Sequence, residues 1–225
     1  LESSVVGAQL GSQAISSSLK AGAIGLAVVM VFMIVMYAVP GVAASLALAI
    51  YTTLVIATLY LFEITLTLPG IAGIILGIGM AVDANVIVFA RIREEIATGK
   101  SVQTSMKIGF QKAMSAILDG NITTLIAAVV LMALGSGTVK GFAYTLMIGI
   151  ILSLFTAMVV TRYILYSLYA LGLKSEKLYG RAKERKSINF IGKRAVFFTV
   201  SGVIIAAGLI SMGVHSATEG KALNY

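Results

Sequence analysis

Two aspartates stand inside stretches that are otherwise apolar enough to lie in a bilayer. Asp83 falls within residues 70–90 and Asp119 within residues 117–135. Each is followed two residues later by an asparagine, giving Asp83-Ala84-Asn85 and Asp119-Gly120-Asn121. A charged side chain at membrane depth costs several kcal/mol, so its presence points to a function, and a carboxylate there can take up and release a proton along a transport path. Asp83 is the stronger candidate, about 14 residues and roughly 20 Å from the far end of its helix. Asp119 is expected near the start of the fourth helix, where a carboxylate also suits the positive end of the helix dipole. A two-residue offset turns a helix by about 200°, so each aspartate and its asparagine face different neighbours. Asn85, Asn121, Thr123 and Thr124 are expected to serve as hydrogen-bonding glue between helices.

The elements that must position these groups follow from hydropathy. Hydrophobic residues make up 59 % of the 225-residue chain and charged residues 12 %. Soluble proteins average about 45–50 % and 25 %, so one soluble core would leave too few charges to cover its outside. Crossing a hydrocarbon layer of about 30 Å takes roughly 20 apolar helical residues. Six windows qualify: 21–39, 41–62, 70–90, 117–135, 141–161 and 195–214. The fold class expected is an all-α integral membrane bundle of about six transmembrane helices. Pro40-Gly41, Leu68-Pro69-Gly70 and Gly135-Ser136-Gly137 mark turns between windows. The fifth window carries a small residue at every fourth position, Gly141, Thr145, Gly149, Ser153, Ala157 and Thr161, and the third is rich in glycine and alanine. Such ridges let helices approach closely where lipid supplies no hydrophobic drive.

Charge sets the topology. Of the 17 Lys and Arg residues, 13 fall in two loops: Arg91, Arg93, Lys100, Lys107 and Lys112 in one, and Lys174, Lys177, Arg181, Lys183, Arg185, Lys186, Lys193 and Arg194 in the other. Both loops lie on one side if all six windows span, which makes them cytoplasmic and puts both ends of this fragment outside the cytoplasm. The net charge of +8 is thereby a matter of topology, and no nucleic-acid partner is expected. Arg162 is expected to snorkel to the headgroups. Residues 92–114 mix charge with periodic apolar positions and read as an amphipathic helix lying on the membrane surface. Residues 1–20 read as a polar lead-in, and both chain ends look like cuts in a longer protein.

Other chemistries lack their residues. There is no cysteine, and His215 is the one histidine, so thiolate catalysis and a multi-histidine zinc site are excluded. Gly99-Lys100-Ser101 echoes the end of a phosphate loop, but Glu94 occupies the first glycine position and no strand precedes it. No triad or pair of catalytic carboxylates can be assembled, so neither enzymatic activity nor a cofactor or metal is expected.

Four segments, in order, resemble the SecD family of protein-export membrane subunits: residues 6–11 (VGAQLG), 79–95 (GMAVDANVIVFARIREE), 109–124 (GFQKAMSAILDGNITT) and 137–146 (GTVKGFAYTL). The resemblance implies a resistance-nodulation-division type of bundle. Residues 1–20 would lead in from outside, 21–173 would form five SecD-like helices and 174–194 a basic cytoplasmic linker. Residues 188–195 (INFIGKRA) resemble the start of the partner subunit SecF, which would make 195–225 a first SecF-like helix and the start of its outer domain, within a natural SecD–SecF fusion. Residues 222–225 would be a divergent start of the next SecF element. The family's role, as implied, is to use the proton-motive force to promote preprotein translocation through SecYEG after the ATP-driven SecA step, in the bacterial cell membrane. Its partners would be SecYEG, SecA-driven preproteins, the SecF half or subunit, YajC and membrane lipids. On this resemblance Asp83 and Asp119 are the proton-relay positions. Asn85, Asn121, Thr123, Thr124, Lys140, Gly141, Phe142 and Thr145 support or pack around them. The alternatives are a proton-driven small-molecule exporter of the same superfamily and a non-transporting scaffold subunit of the translocon.

Overall fold

In a bilayer, backbone N–H and C=O groups have no water to bond, so a spanning segment must satisfy them internally as a helix. The computed structural model describes residues 8–180 and 194–219, and every regular element among them is helical. The helices are α1 (Ala8–Tyr37), α2 (Val39–Leu61), α3 (Leu68–Ala97), α4 (Val102–Leu134), α5 (Thr138–Phe155), α6 (Thr161–Ala170), α7 (Glu176–Tyr179) and α8 (Arg194–Glu219). A π-helical stretch, Thr156–Val160, joins α5 to α6 without a break. Five candidate spans result: Gln13–Tyr37, Val39–Leu61, Leu68–Ala97, Val102–Leu134 and Thr138–Ala170. The sixth window falls in α8, whose described apolar stretch is the shorter Phe197–Met212. The chain forms two compact units, Leu1–Ala182 and Lys183–Tyr225. Residues 6 and 7 of the first family-like segment, most of the basic linker and residues 222–225 lie outside the described residues.

The helices outrun their apolar windows. Nothing separates the third span from the segment expected to lie on the membrane surface: α3 continues to Ala97, and α4 starts at Val102. Residues 92–114 are therefore the end of α3, a turn and the start of α4, not one amphipathic helix. The turn is built as a helix start. Ser101 caps α4, its Oγ accepting from the Thr104 N–H at 3.3 Å, so Gly99-Lys100-Ser101 ends one helix and begins the next. Glu95, 5 % exposed, ties the hairpin by accepting from Lys112 Nζ across the turn at 2.6 Å and from Lys100. At the far end of α3, Thr67 Oγ1 accepts from the Gly70 N–H at 3.2 Å and Pro69 sits in the first turn, where its missing N–H is harmless.

The core of the first unit is the crossing of α3 with α5, flanked by α2 and α4. Gly73 of α3 faces Thr145 of α5, and a Cβ added at Gly73 would run into Thr145 Oγ1. Lower down, the fully buried Tyr51 of α2 places its hydroxyl between Gly77 of α3 and Gly149 of α5. A Cβ on Gly77 would meet that oxygen, so glycine is the residue that lets three helices converge there. The hydroxyl itself has no hydrogen-bond partner.

The small-residue ridge of the fifth span is buried as expected: Thr145, Gly149, Ser153, Ala157 and Thr161 all face inward. Steps of four residues drift by about 40° each on an α-helix of 3.6 residues per turn. The π-helical stretch, with its wider i→i+5 turn, takes up that drift and keeps Ala157 and Thr161 on the packed side.

A second junction gathers the hairpin end of the unit. Arg93 of α3 donates to the Met36 carbonyl of α1 (Nη2, 2.5 Å) and to the Tyr179 carbonyl of α7 (Nε, 3.4 Å), with its guanidinium 4.3 Å over the Tyr37 ring. It thus satisfies a carbonyl at the end of α1 that no helical N–H reaches. Gly180, at φ 76°, lies against the guanidinium, where a Cβ would come within 2.7 Å of Nε. Tyr179 is wholly buried, and burial, with Tyr169 beside it, pushes its phenol up to about 12.

Both junctions can be tested by stability. Gly77→Ala should destabilise the purified protein by about 1–3 kcal/mol, the usual penalty of overpacking, seen as a lower midpoint in detergent melting. Tyr51→Phe, which removes an unpaired buried hydroxyl, should be close to neutral alone and should recover most of that loss in the double variant. Arg93→Lys should lower the midpoint as well, because one ammonium cannot reach two carbonyls and stack on Tyr37, while Lys107→Ala on an exposed position should not.

Candidate functional site

The α3–α4 hairpin sets the depth of both aspartates. The helices run antiparallel from the turn between Ala97 and Val102. Asp83 lies about 14 residues from that turn and Asp119 about 17, which is ~21 Å and ~26 Å along the two axes. The expectation that Asp119 begins the fourth helix is therefore corrected. Because α4 extends well beyond its apolar window, Asp119 sits nearly five turns inside it, far from the helix dipole's positive end.

Asp83 projects toward α4. With Met80, Ala84 and Ile87 it lines a cavity of about 210 Å³, whose other wall is Ala116, Ile117, Gly120, Asn121 and Thr124. Gly120 and Ala116 leave the room, and Asn121 and Thr124 supply the polar edge. Asp83 is exposed on this unit, as are Asp119 and Thr123, so the α3–α4 face carries carboxylates within two candidate spans. Asp119 stands outside the cavity and accepts from Ser115 Oγ at 3.4 Å.

The glue expected between helices is instead within them. Asn85 Nδ2 donates to the Ala81 carbonyl (3.1 Å), Asn121 Nδ2 to Ile117 (2.8 Å), Thr123 Oγ1 to Asp119 (3.0 Å) and Thr124 Oγ1 to Gly120 (3.2 Å). Each reaches back one turn, the bond that short polar side chains make most readily in a helix. Asn85 is 3 % exposed and keeps its Oδ1 without a partner, facing the core while Asp83 faces the cavity. The 200° divergence of the pair is thus realised.

The remaining positions lie elsewhere. Lys140, exposed at the start of α5, lines a cavity of about 640 Å³ with Gly141, Tyr144 and residues of the α2–α3 loop, at the opposite end of the bundle from the Arg93 junction. Thr145 shares its proton between the carbonyls of Gly141 (3.2 Å) and Phe142 (2.9 Å), and packs against α3. Lys140, Gly141, Phe142 and Thr145 do not line the Asp83 cavity. Arg162 is exposed, its guanidinium about 6.0 Å over the Phe110 ring and 5.9 Å over Tyr166. Among the described residues no group of three His, Cys, Asp or Glu side chains is placed to hold a metal ion.

Sequence reasoning missed Glu95 and Arg93. Both fall in the third helix's charged extension, where a run of Arg and Glu is normally a solvated face. Their partners, at positions 36, 112 and 179, are recognisable only once the helices are packed.

Residues 1–170 match the family model described as protein export membrane protein SecD/SecF, C-terminal. The chain is 51 % identical over 168 residues to the protein translocase subunit SecD of Acidaminococcus fermentans, an alignment covering 75 % of this chain and 40 % of that protein. It is 53 % identical over 165 residues to the corresponding SecD of Synechocystis, covering 73 % of this chain and 35 % of the relative. Among solved structures it resembles the crystal structure of SecDF, a translocon-associated membrane protein from Thermus thermophilus. The TM-score is 0.80 and the identity 33 %, over 94 % of this chain and 29 % of that one. The chain thus spans well under half the length of these proteins.

Proposed function

The chain belongs to the SecD/SecF C-terminal family of protein export membrane proteins, and from that premise we propose that it is the membrane engine of a Sec translocase subunit that uses the proton-motive force to promote preprotein translocation through SecYEG after the SecA step. The observation that carries the reading is Asp83: a carboxylate at membrane depth, on the outward face of the unit, bordering a cavity edged by Asn121 and Thr124. Asp83 is the proton-carrying group and Asp119, exposed on the same face, a second station. Asn85, Asn121, Thr123, Thr124, Lys140, Gly141, Phe142 and Thr145 hold helix positions around them. One charge moved through 100 mV releases about 2.3 kcal/mol, so a few protons per cycle suffice to drive a domain movement.

A carboxylate aimed out of the five helices needs a polar partner on another membrane unit, and the SecF half is the partner proposed. Residues 21–173 are the SecD bundle, 174–194 the cytoplasmic linker and 195–225 the entry into the SecF half. Likeness over 94 % of the chain to a SecDF structure supports the fusion. The Lys/Arg-rich loops are cytoplasmic, and YajC is a further accessory partner.

The test uses the full-length parent protein in inverted membrane vesicles, following completion of preprotein translocation with and without a proton gradient. Asp83→Asn should abolish the gradient-dependent part while ATP-driven translocation, protein level and complex assembly stay normal. Asp83→Glu, which keeps an ionisable group, should retain a measurable share. A full gradient response in Asp83→Asn makes the residue structural and leaves the chain a scaffold of the translocon.

A further inference from the structure

A cavity of about 670 Å³ in the first unit is not lined by Asp83. It opens between α1, α2 and α3 toward the end opposite the Arg93 junction. Leu26, Ile56, Ile71, Ile74, Ile75 and Ile78 form its walls. Protein interiors leave few voids larger than a water molecule. Water in this one would find almost no polar partner along the walls. One wall is α1, whose most apolar window is only 6 % buried within the unit.

The mouth is different in character. Ser18, Tyr60 and Glu63 line it. Glu63 holds φ 51°, the left-handed conformation that closes α2: the Phe62 N–H bonds the Thr58 carbonyl at 3.0 Å and the Ile64 N–H bonds Leu59 at 3.0 Å. Glycine is the usual residue at such a helix end. A glutamate there is a local cost, which is what backbone outliers at binding sites commonly carry. The same carboxylate borders the neighbouring cavity that holds Lys140, yet makes no ion pair with it or with any other described residue. Lys20, exposed, follows the mouth residues Ser18 and Leu19 on α1.

We propose that this groove is a binding site for one aminophospholipid, with an acyl chain between α1, α2 and α3 and its headgroup amine on Glu63. The apolar walls match hydrocarbon, and the Glu63 carboxylate at the mouth matches the amine of a zwitterionic headgroup. An anionic lipid would bring its negative charge to Glu63 without an amine to offset it. The site is independent of the transport reading and needs only that α1 to α3 span a bilayer.

The experiment uses the full-length protein in nanodiscs of mixed phosphatidylethanolamine and phosphatidylglycerol. A phosphatidylethanolamine probe carrying a diazirine on its acyl chain is photolysed, and labelled peptides are mapped in the wild type. Labelling should concentrate on the groove faces of α1, α2 and α3. Ala23→Trp and Ile56→Trp, each filling the groove from a different helix, should remove that labelling while melting stays near wild type. Glu63→Gln should keep an acyl chain in place but lower the preference for phosphatidylethanolamine over phosphatidylglycerol about threefold in native mass spectrometry, the scale of one exposed ion pair. Wild-type labelling spread evenly over the lipid-facing helices overturns the proposal. So does an absence of label in the groove, the result expected if another protein segment covers it, or equal retention of the two lipids by the wild type.

Discussion

The contact on which the rest of the structure hangs is the close crossing of α3 and α5. Lipid offers no hydrophobic drive toward association, so the two helices must gain from packing alone, and packing requires that their backbones come near. Gly73 and Gly77 on one side and Gly149 on the other make that approach possible, with Tyr51 filling the space where the third helix arrives. Because α3 is fixed along one side by this crossing, its flank toward α4 is free to present something else. Asp83 lies there, and Asn85, turned by about 200°, faces the packed interior. One helix thus serves as both keel and carrier.

The hairpin turn converts that arrangement into a shared depth. Glu95, near the end of α3, binds Lys100 in the turn and Lys112 on α4 and so ties the two helices together, while Asp83 shares a cavity with Gly120, Asn121 and Thr124. Arg93 fastens the same end of α3 to the end of α1 and to Tyr179 of α7. α3 is thus joined to α4 through Glu95 and to α1 through Arg93. A carboxylate whose charge changes needs a rigid helix of this kind if the change is to be felt elsewhere.

What the sequence made legible was governed by hydropathy, and what it hid was governed by packing. Every described span contains an apolar window, because a single apolar segment in lipid satisfies its own backbone by forming a helix. Hydropathy does not mark the helix ends where α3 and α4 run past their apolar windows. The polar parts of α3 and α4 carry no hydropathy signal, and so residues 92–114 read as a surface helix and Asp119 as a helix start. Asn85, Asn121, Thr123 and Thr124 were rightly placed on helices, yet their bonds close within one turn, a choice set by rotamers rather than by residue type. The four-residue ridge pointed to a packed face but not to the π-helical stretch that keeps it packed. Glu63 gave no signal at all, since a glutamate in a loop is ordinary until its backbone is seen at φ 51°.

Exposure of Asp83 on the isolated unit sharpens the argument about coupling. A charged carboxylate facing hydrocarbon is unfavourable by several kcal/mol, and the cavity beside it offers two polar side chains whose hydrogen-bonding groups already reach back into their own helix. Neither is a cation, and among the described residues Asp83 makes no ion pair. The five helices therefore hold a carboxylate in place without supplying what would stabilise its charge. If a second membrane unit supplies it, the free energy of that contact differs between the protonated and ionised forms, and protonation and the seating of the two units become linked quantities. Under the proposed function, that linkage is where a proton gradient would be converted into movement, and the face shared by Asp83 and Asp119 is the surface on which it would act.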